Sequence, residues 1–85
     1  PMARILIVED EPDVRRFLAT VLEDEGHTVI PVSDVQEALA ALGGPPPDLV
    51  TLDVFLPGPS GLSLLRELRE TAGLSRVPVL VARPS

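Results

Sequence analysis

The chain contains no cysteine, no lysine, no tryptophan and no tyrosine, and its aromatic residues are Phe17 and Phe55 alone. Without cysteine there is neither a disulfide framework nor a thiolate metal site, a usage compatible with the reducing cytosol and a cytoplasmic location. Two phenylalanines cannot form a stacking platform for single-stranded nucleic acid. Seven arginines stand against thirteen acidic residues, for a net charge of −6, and that balance disfavours binding to a phosphate backbone. No apolar run approaches the ~20 residues that span a bilayer. The opening PMARILIVED lacks a basic segment ahead of a long apolar core, so no secretory signal is expected. There is no glycine-rich phosphate loop to suggest nucleotide binding. The one histidine, His27, reads as a surface or packing residue, too isolated for a metal site or a Ser-His-Asp set.

What is present is the composition of a soluble globular domain: 85 residues, 45% hydrophobic and 24% charged. A chain of this length buries roughly 60–65% of its unfolded surface, so its stability is thin.

Arg4-Ile5-Leu6-Ile7-Val8 is an unbroken, β-branched run, the pattern of a strand covered on both faces as in a parallel sheet. Pro12 suits a first helical turn with Asp10 or Glu11 as cap. Val14, Phe17, Leu18, Val21 and Leu22 recur at helical steps and form its apolar face, with Gly26 at its end. Arg15 and Arg16 fall outside that face and read as solvated. Thr28–Val32 is a second strand, placed at a sheet edge by Pro31, which cannot donate to a ladder. Ser33-Asp34 caps a second helix with Val35, Ala38, Leu39 and Leu42 inward. Gly43-Gly44 stops it, and Pro45-Pro46-Pro47 forms a stiff exposed connector. A third strand follows over Asp48–Leu52, ending at Asp53. A third helix is expected from Ser60 or Gly61 to Thr71 with Leu62, Leu65 and Leu68 inward, and a fourth strand over Val77–Val81. The alternation β-α-β-α-β-α-β, with crossovers long enough to hold a helix, predicts an open, doubly wound α/β domain with a parallel sheet.

Two strands end in acids: the first in Glu9-Asp10, the third in Asp53. Ligands of open α/β sheets bind at the carboxyl ends of the strands. If the first and third strands are neighbours, three carboxylates converge there and repel one another strongly. A divalent cation relieves that repulsion, and an all-oxygen donor set favours Mg²⁺. Beside it, Asp53 would be a nucleophile able to carry phosphate as an acyl phosphate. The same residues also suit plainer roles: Glu9, Asp10 and Glu11 as helix N-terminal acids, and Asp53 as a residue that opens a loop.

The segments ILIVEDEPDVRRFLATVLEDEGHTV, LVTLDVFLPGPSGLSLLRELR and VPVLVA together resemble the receiver domain of two-component response regulators, over almost the whole chain. The resemblance implies a flavodoxin-like sheet in the order 2-1-3-4, with helices on both faces. It makes Asp53 the phosphorylated aspartate, accepting phosphate from a sensor histidine kinase or phosphotransfer protein in a Mg²⁺-dependent reaction. By position, Asp10 would ligate Mg²⁺ directly, Glu9 through a water, and Phe55 through its backbone carbonyl. Pro57 and Gly61 would shape the loop into the third helix. The helix carrying Arg15 and Arg16 would contribute to the docking face for the phosphodonor.

The sequence also departs from the family pattern. Arg83 stands where a Ser or Thr would track the phosphoryl group, with Ser85 two residues on, and the phosphate-pairing Lys has no counterpart. Residues 1–85 are expected to form a single, incomplete receiver-like domain without the family's fourth helix, fifth strand and fifth helix. An uncovered fourth strand, apolar on both faces, would invite a homodimer or a segment swap. Two readings follow: a phosphorylation switch rather than a metabolic enzyme, or a degenerate receiver serving as an assembly module without phosphotransfer. A phosphohydrolase of the haloacid-dehalogenase type is disfavoured, because Phe55 stands where that pattern needs a second acid.

Overall fold

The computed structural model describes residues 2–53, 61–71 and 73–82. The elements follow the predicted alternation: β1 (Arg4–Val8), α1 (Pro12–Asp24), β2 (Thr28–Val32), α2 (Val35–Ala41), β3 (Leu49–Asp53), α3 (Gly61–Glu70) and β4 (Val79–Ala82). The four strands form one sheet in the order β2-β1-β3-β4, and every pairing is parallel. Pro31 accordingly lies on an edge strand, where a missing N–H costs least.

Register sorts the strand residues by face, because side chains alternate across a sheet. Leu6 aligns with Val50 and Val8 with Leu52, and these four pack with Val35, Ala38, Leu64, Leu68, Leu74 and Val77 in the main core. Two helices, α2 and α3, thus close that face. Each fully buried leucine there stabilises the fold by about 1.5–3 kcal/mol through removal from water. The alternate residues Ile5 and Ile7 are also buried, on the face where α1 lies against β1 and β2.

Local chemistry fixes the helix ends. Glu11 caps α1 by accepting from the Asp13 N–H, with Pro12 at the first helical position. Gly26 follows α1 at φ +93°, a left-handed conformation that glycine adopts at little cost. The seven-residue α2 has a stronger start: Asp34 Oδ1 accepts from the Glu37 N–H at 2.7 Å, and Glu37 Oε1 accepts from both the N–H and the hydroxyl of Ser33 at 2.7 Å. This is a close variant of the reciprocal capping box.

Several expectations are corrected. On α3, Leu64 and Leu68 are the enclosed residues, whereas Leu62 is 61% exposed and Leu65 half-buried. The run LSLLRELR offers leucines at two helical phases, and contact with the core selects the four-residue step. On α1, Val14, Leu18 and Leu22 are half-buried, but Phe17 and Val21 are 66% and 42% exposed. Helix α1 packs mainly against β1 and β2, and its outer residues stay in water. β4 begins at Val79, later than expected, because the Val77 N–H is used by the Leu74 carbonyl in the preceding turn. β3 likewise runs one residue later, so that Asp53 is its last residue rather than the first beyond it. Within the proline connector, Pro47 is buried while Pro45 and Pro46 are exposed.

At the amino end of the sheet, backbone and side chain interlock. The Arg4 N–H donates to Asp48 Oδ2 at 2.8 Å and the Asp48 N–H to the Arg4 carbonyl at 2.7 Å. His27 is half-buried, and its Nδ1 accepts from the Ala3 N–H at 3.1 Å. It is a packing residue, with a specific tether that its position in the sequence does not disclose.

Candidate functional site

The carboxyl ends of β1 and β3 are adjacent because the strands pair in register up to Val8 and Leu52. The next residue of each chain segment is an acid, and the sheet therefore delivers Glu9 and Asp53 side by side. Both are only 4% exposed. Asp10, one residue further into the turn, is exposed. One carboxylate oxygen from each of Glu9, Asp10 and Asp53 lies within 4.8 Å of the others. The sequence expectation that three acids converge is thereby met.

The electrostatics of this cluster are unfavourable as it stands. Burial pushes the Glu9 carboxyl above its ordinary value, and the side-chain hydrogen bond and negative charge of Asp53, with a further bond involving Asp10, push it the same way. A bond from the Glu11 N–H to Glu9 Oε2, at 3.1 Å, works in the opposite direction. Buried carboxylates favour the charged form only when donors or cations face them. The donor set consists of hard oxygens in a compact group, two of them shielded from water, which fits Mg²⁺ or a similar divalent ion.

The surrounding scaffold holds Glu9 at both ends of its main chain. Its N–H donates to the Val32 carbonyl on β2 at 3.0 Å. Its carbonyl accepts from Arg15 Nη1 at 2.8 Å. Arg15 is half-buried, and this corrects its expected status as a solvated helix residue. Its periodicity placed it off the apolar face of α1 correctly, but a guanidinium reaching back six residues to a carbonyl leaves no mark in hydrophobic spacing. Arg16 is exposed, as expected. Phe55, Pro57, Arg83 and Ser85 lie outside the described residues, and Gly61 opens α3.

Comparison with known proteins agrees with this geometry. Residues 5–83 match the family model described as the response regulator receiver domain. The transcriptional regulatory protein TcrA of Mycobacterium tuberculosis is 46% identical over 80 residues, which are 94% of this chain and 32% of TcrA. The chain thus spans about a third of the length of this curated relative. Among solved structures, the phosphorylated cyanobacterial phytochrome response regulator RcpA superposes with a TM-score of 0.86 at 32% identity, covering 100% of this chain and 67% of RcpA. The Mn²⁺-bound form of the response regulator Rcp1 gives a TM-score of 0.82 at 33% identity, covering 98% of this chain and 66% of Rcp1. Among the described residues, no helix is long and apolar enough to cross a membrane.

Proposed function

The chain belongs to the response regulator receiver family, and on that premise we propose that it is a phosphoacceptor switch with Asp53 as the phosphorylated residue. The observation that carries this reading is the packing of Asp53, at the last position of β3, against Glu9 and Asp10. A phosphohistidine on a sensor histidine kinase or phosphotransfer protein is the donor. One Asp53 carboxylate oxygen attacks phosphorus, the P–O bond forms as the P–N bond to imidazole breaks, and the electron pair stays on the imidazole nitrogen. The module transfers a group to itself and turns over no separate metabolite.

Glu9, Asp10 and Asp53, with the backbone carbonyl of Phe55, would hold Mg²⁺, which when bound supplies positive charge to the phosphoryl oxygens. The low exposure of Asp53 strengthens the charge interactions around it. Glu9 and Asp10 orient the cluster and, with no cation, repel an incoming phosphate. Phosphorylation is therefore expected to depend on divalent ions.

The exposed flank of the sheet favours a second reading. Leu80 and Val81, on opposite faces of β4, are 58% and 52% exposed, which suits an assembly module that pairs with a second copy or exchanges segments. One experiment separates the two. The chain is incubated with Mg²⁺ and a small acyl phosphate or beryllofluoride, and compared with Asp53→Asn by intact mass and chemical-shift change. Mg²⁺-dependent uptake, abolished in the variant, is the expected result. A folded wild type that takes up neither reagent would leave the assembly reading, to be checked by light scattering.

A further inference from the structure

The carbonyl that Arg15 grips belongs to the peptide unit between Glu9 and Asp10, two of the three residues in the acidic cluster. A change in ψ of Glu9 that φ of Asp10 does not compensate would redirect the Asp10 carboxylate relative to Glu9 and Asp53, and a bond to this carbonyl restrains that torsion. The bond is short, at 2.8 Å, and charge-assisted, which makes it stronger than a bond between neutral groups. The other end of the Glu9 residue is already fixed, by its N–H on the Val32 carbonyl, and its carboxylate accepts from the Glu11 N–H. Arg15 thus adds a side-chain donor to the two main-chain partners, the Val32 carbonyl and the Glu11 N–H, that hold Glu9.

The guanidinium also acts electrostatically on the start of α2. Its positive charge is one of the influences lowering the Glu37 carboxyl, after the two bonds from Ser33 that fix Glu37 at the start of α2.

We propose that Arg15 is a positioning residue that sets the cation affinity of the Glu9-Asp10-Asp53 cluster by fixing the Glu9-Asp10 peptide plane from α1. The inference rests on the reading of that cluster as a divalent-cation site. Partners that orient metal ligands without touching the ion are commonly worth 10–100-fold in affinity, and an effect through one peptide unit belongs at the lower end, about tenfold.

The test measures Mn²⁺ affinity from the free-ion paramagnetic resonance signal, with Mg²⁺ competition, on wild type, Arg15→Met and Arg15→Lys. Methionine keeps the apolar stem and removes the donor; lysine restores one charged donor. Circular dichroism and a metal-free thermal midpoint verify folding of each. The expected result is about tenfold weaker binding in Arg15→Met and recovery of most of that loss in Arg15→Lys. A folded Arg15→Met that binds Mn²⁺ within about twofold of wild type overturns the inference, as does an Arg15→Lys no tighter than Arg15→Met. Should Arg15→Met fail to fold, the comparison of Arg15→Lys with wild type decides it, and an affinity loss that reaches about tenfold, with nothing recovered by the restored donor, overturns it. A wild type that binds no Mn²⁺ defeats the cation-site reading itself, a result distinct from these.

Discussion

On one face of the sheet Leu64 and Leu68 have no exposed surface, while on the other Phe17 keeps 66% of its surface in water and Leu80 58%. Both faces are built from apolar residues on the same strands, and the helices on both carry an apolar stripe. The difference lies in enclosure. Helices α2 and α3 meet above β1 and β3 and pack against each other as well as the sheet. Helix α1 has no such neighbour among the described residues, and none of its residues is buried. An amphipathic stripe reports which side chains prefer to leave water; whether they do so depends on a second element arriving.

The largest expected effect is on the enclosed face. Leu68→Ala should destabilise the fold by about 2–5 kcal/mol, the transfer of a buried leucine plus the cavity it leaves. Phe17→Ala, on the open face, should cost less than about 1 kcal/mol despite deleting a larger side chain. Urea midpoints of the two variants measure the contrast directly, and equal losses would show that α1 is covered in solution.

A smaller effect tests how the enclosed face is assembled. Because α2 has only seven residues, it depends on its cap more than on its own hydrogen-bond ladder. Asp34→Ala should cost about 1 kcal/mol, typical of losing an N-cap acceptor. A midpoint unchanged from wild type would place the stability of α2 wholly in the contacts of Val35 and Ala38.

The smallest effect is a pH dependence. The two bonds from Ser33, and after them the Arg15 charge, lower the Glu37 carboxyl below its ordinary value. A depressed carboxylate contributes stability that is present above the unfolded-state value and lost as pH falls through the lower folded value. Thermal midpoints of wild type and Glu37→Gln should therefore converge on the acid side of the ordinary glutamate range and separate above it. Parallel profiles would mean that the negative charge of Glu37 adds nothing to the folded state.

Much of the architecture is legible in the sequence for identifiable reasons. Unbroken runs such as Ile5-Leu6-Ile7-Val8 mark strands with two covered sides, and Pro31 marks an edge. The convergence of Glu9, Asp10 and Asp53 follows once β1 and β3 are parallel neighbours. Helix phase is less legible: LSLLRELR has leucines for two faces, and only the packed structure selects Leu64 over Leu62. Least legible are bonds from side chains to distant main chain. The grip of Arg15 on the Glu9 carbonyl and of His27 on the Ala3 N–H arises from where the backbone passes, and residue type and spacing carry no trace of it.

The order β2-β1-β3-β4 also bears on how the domain reaches its native state. Among the described residues no strand pairs with a partner across a tight hairpin; the bonds at the start of β1, Ala3 to His27 and Arg4 to Asp48, close loops of 24 and 44 residues. Such topologies reward the chain late, after loop-closure entropy has been spent, and fold slowly for their size. At 5–20 residues per second of synthesis, β1 precedes the segment that covers its second side by about 2–9 s. During that interval β1 has an apolar edge that β3 later covers.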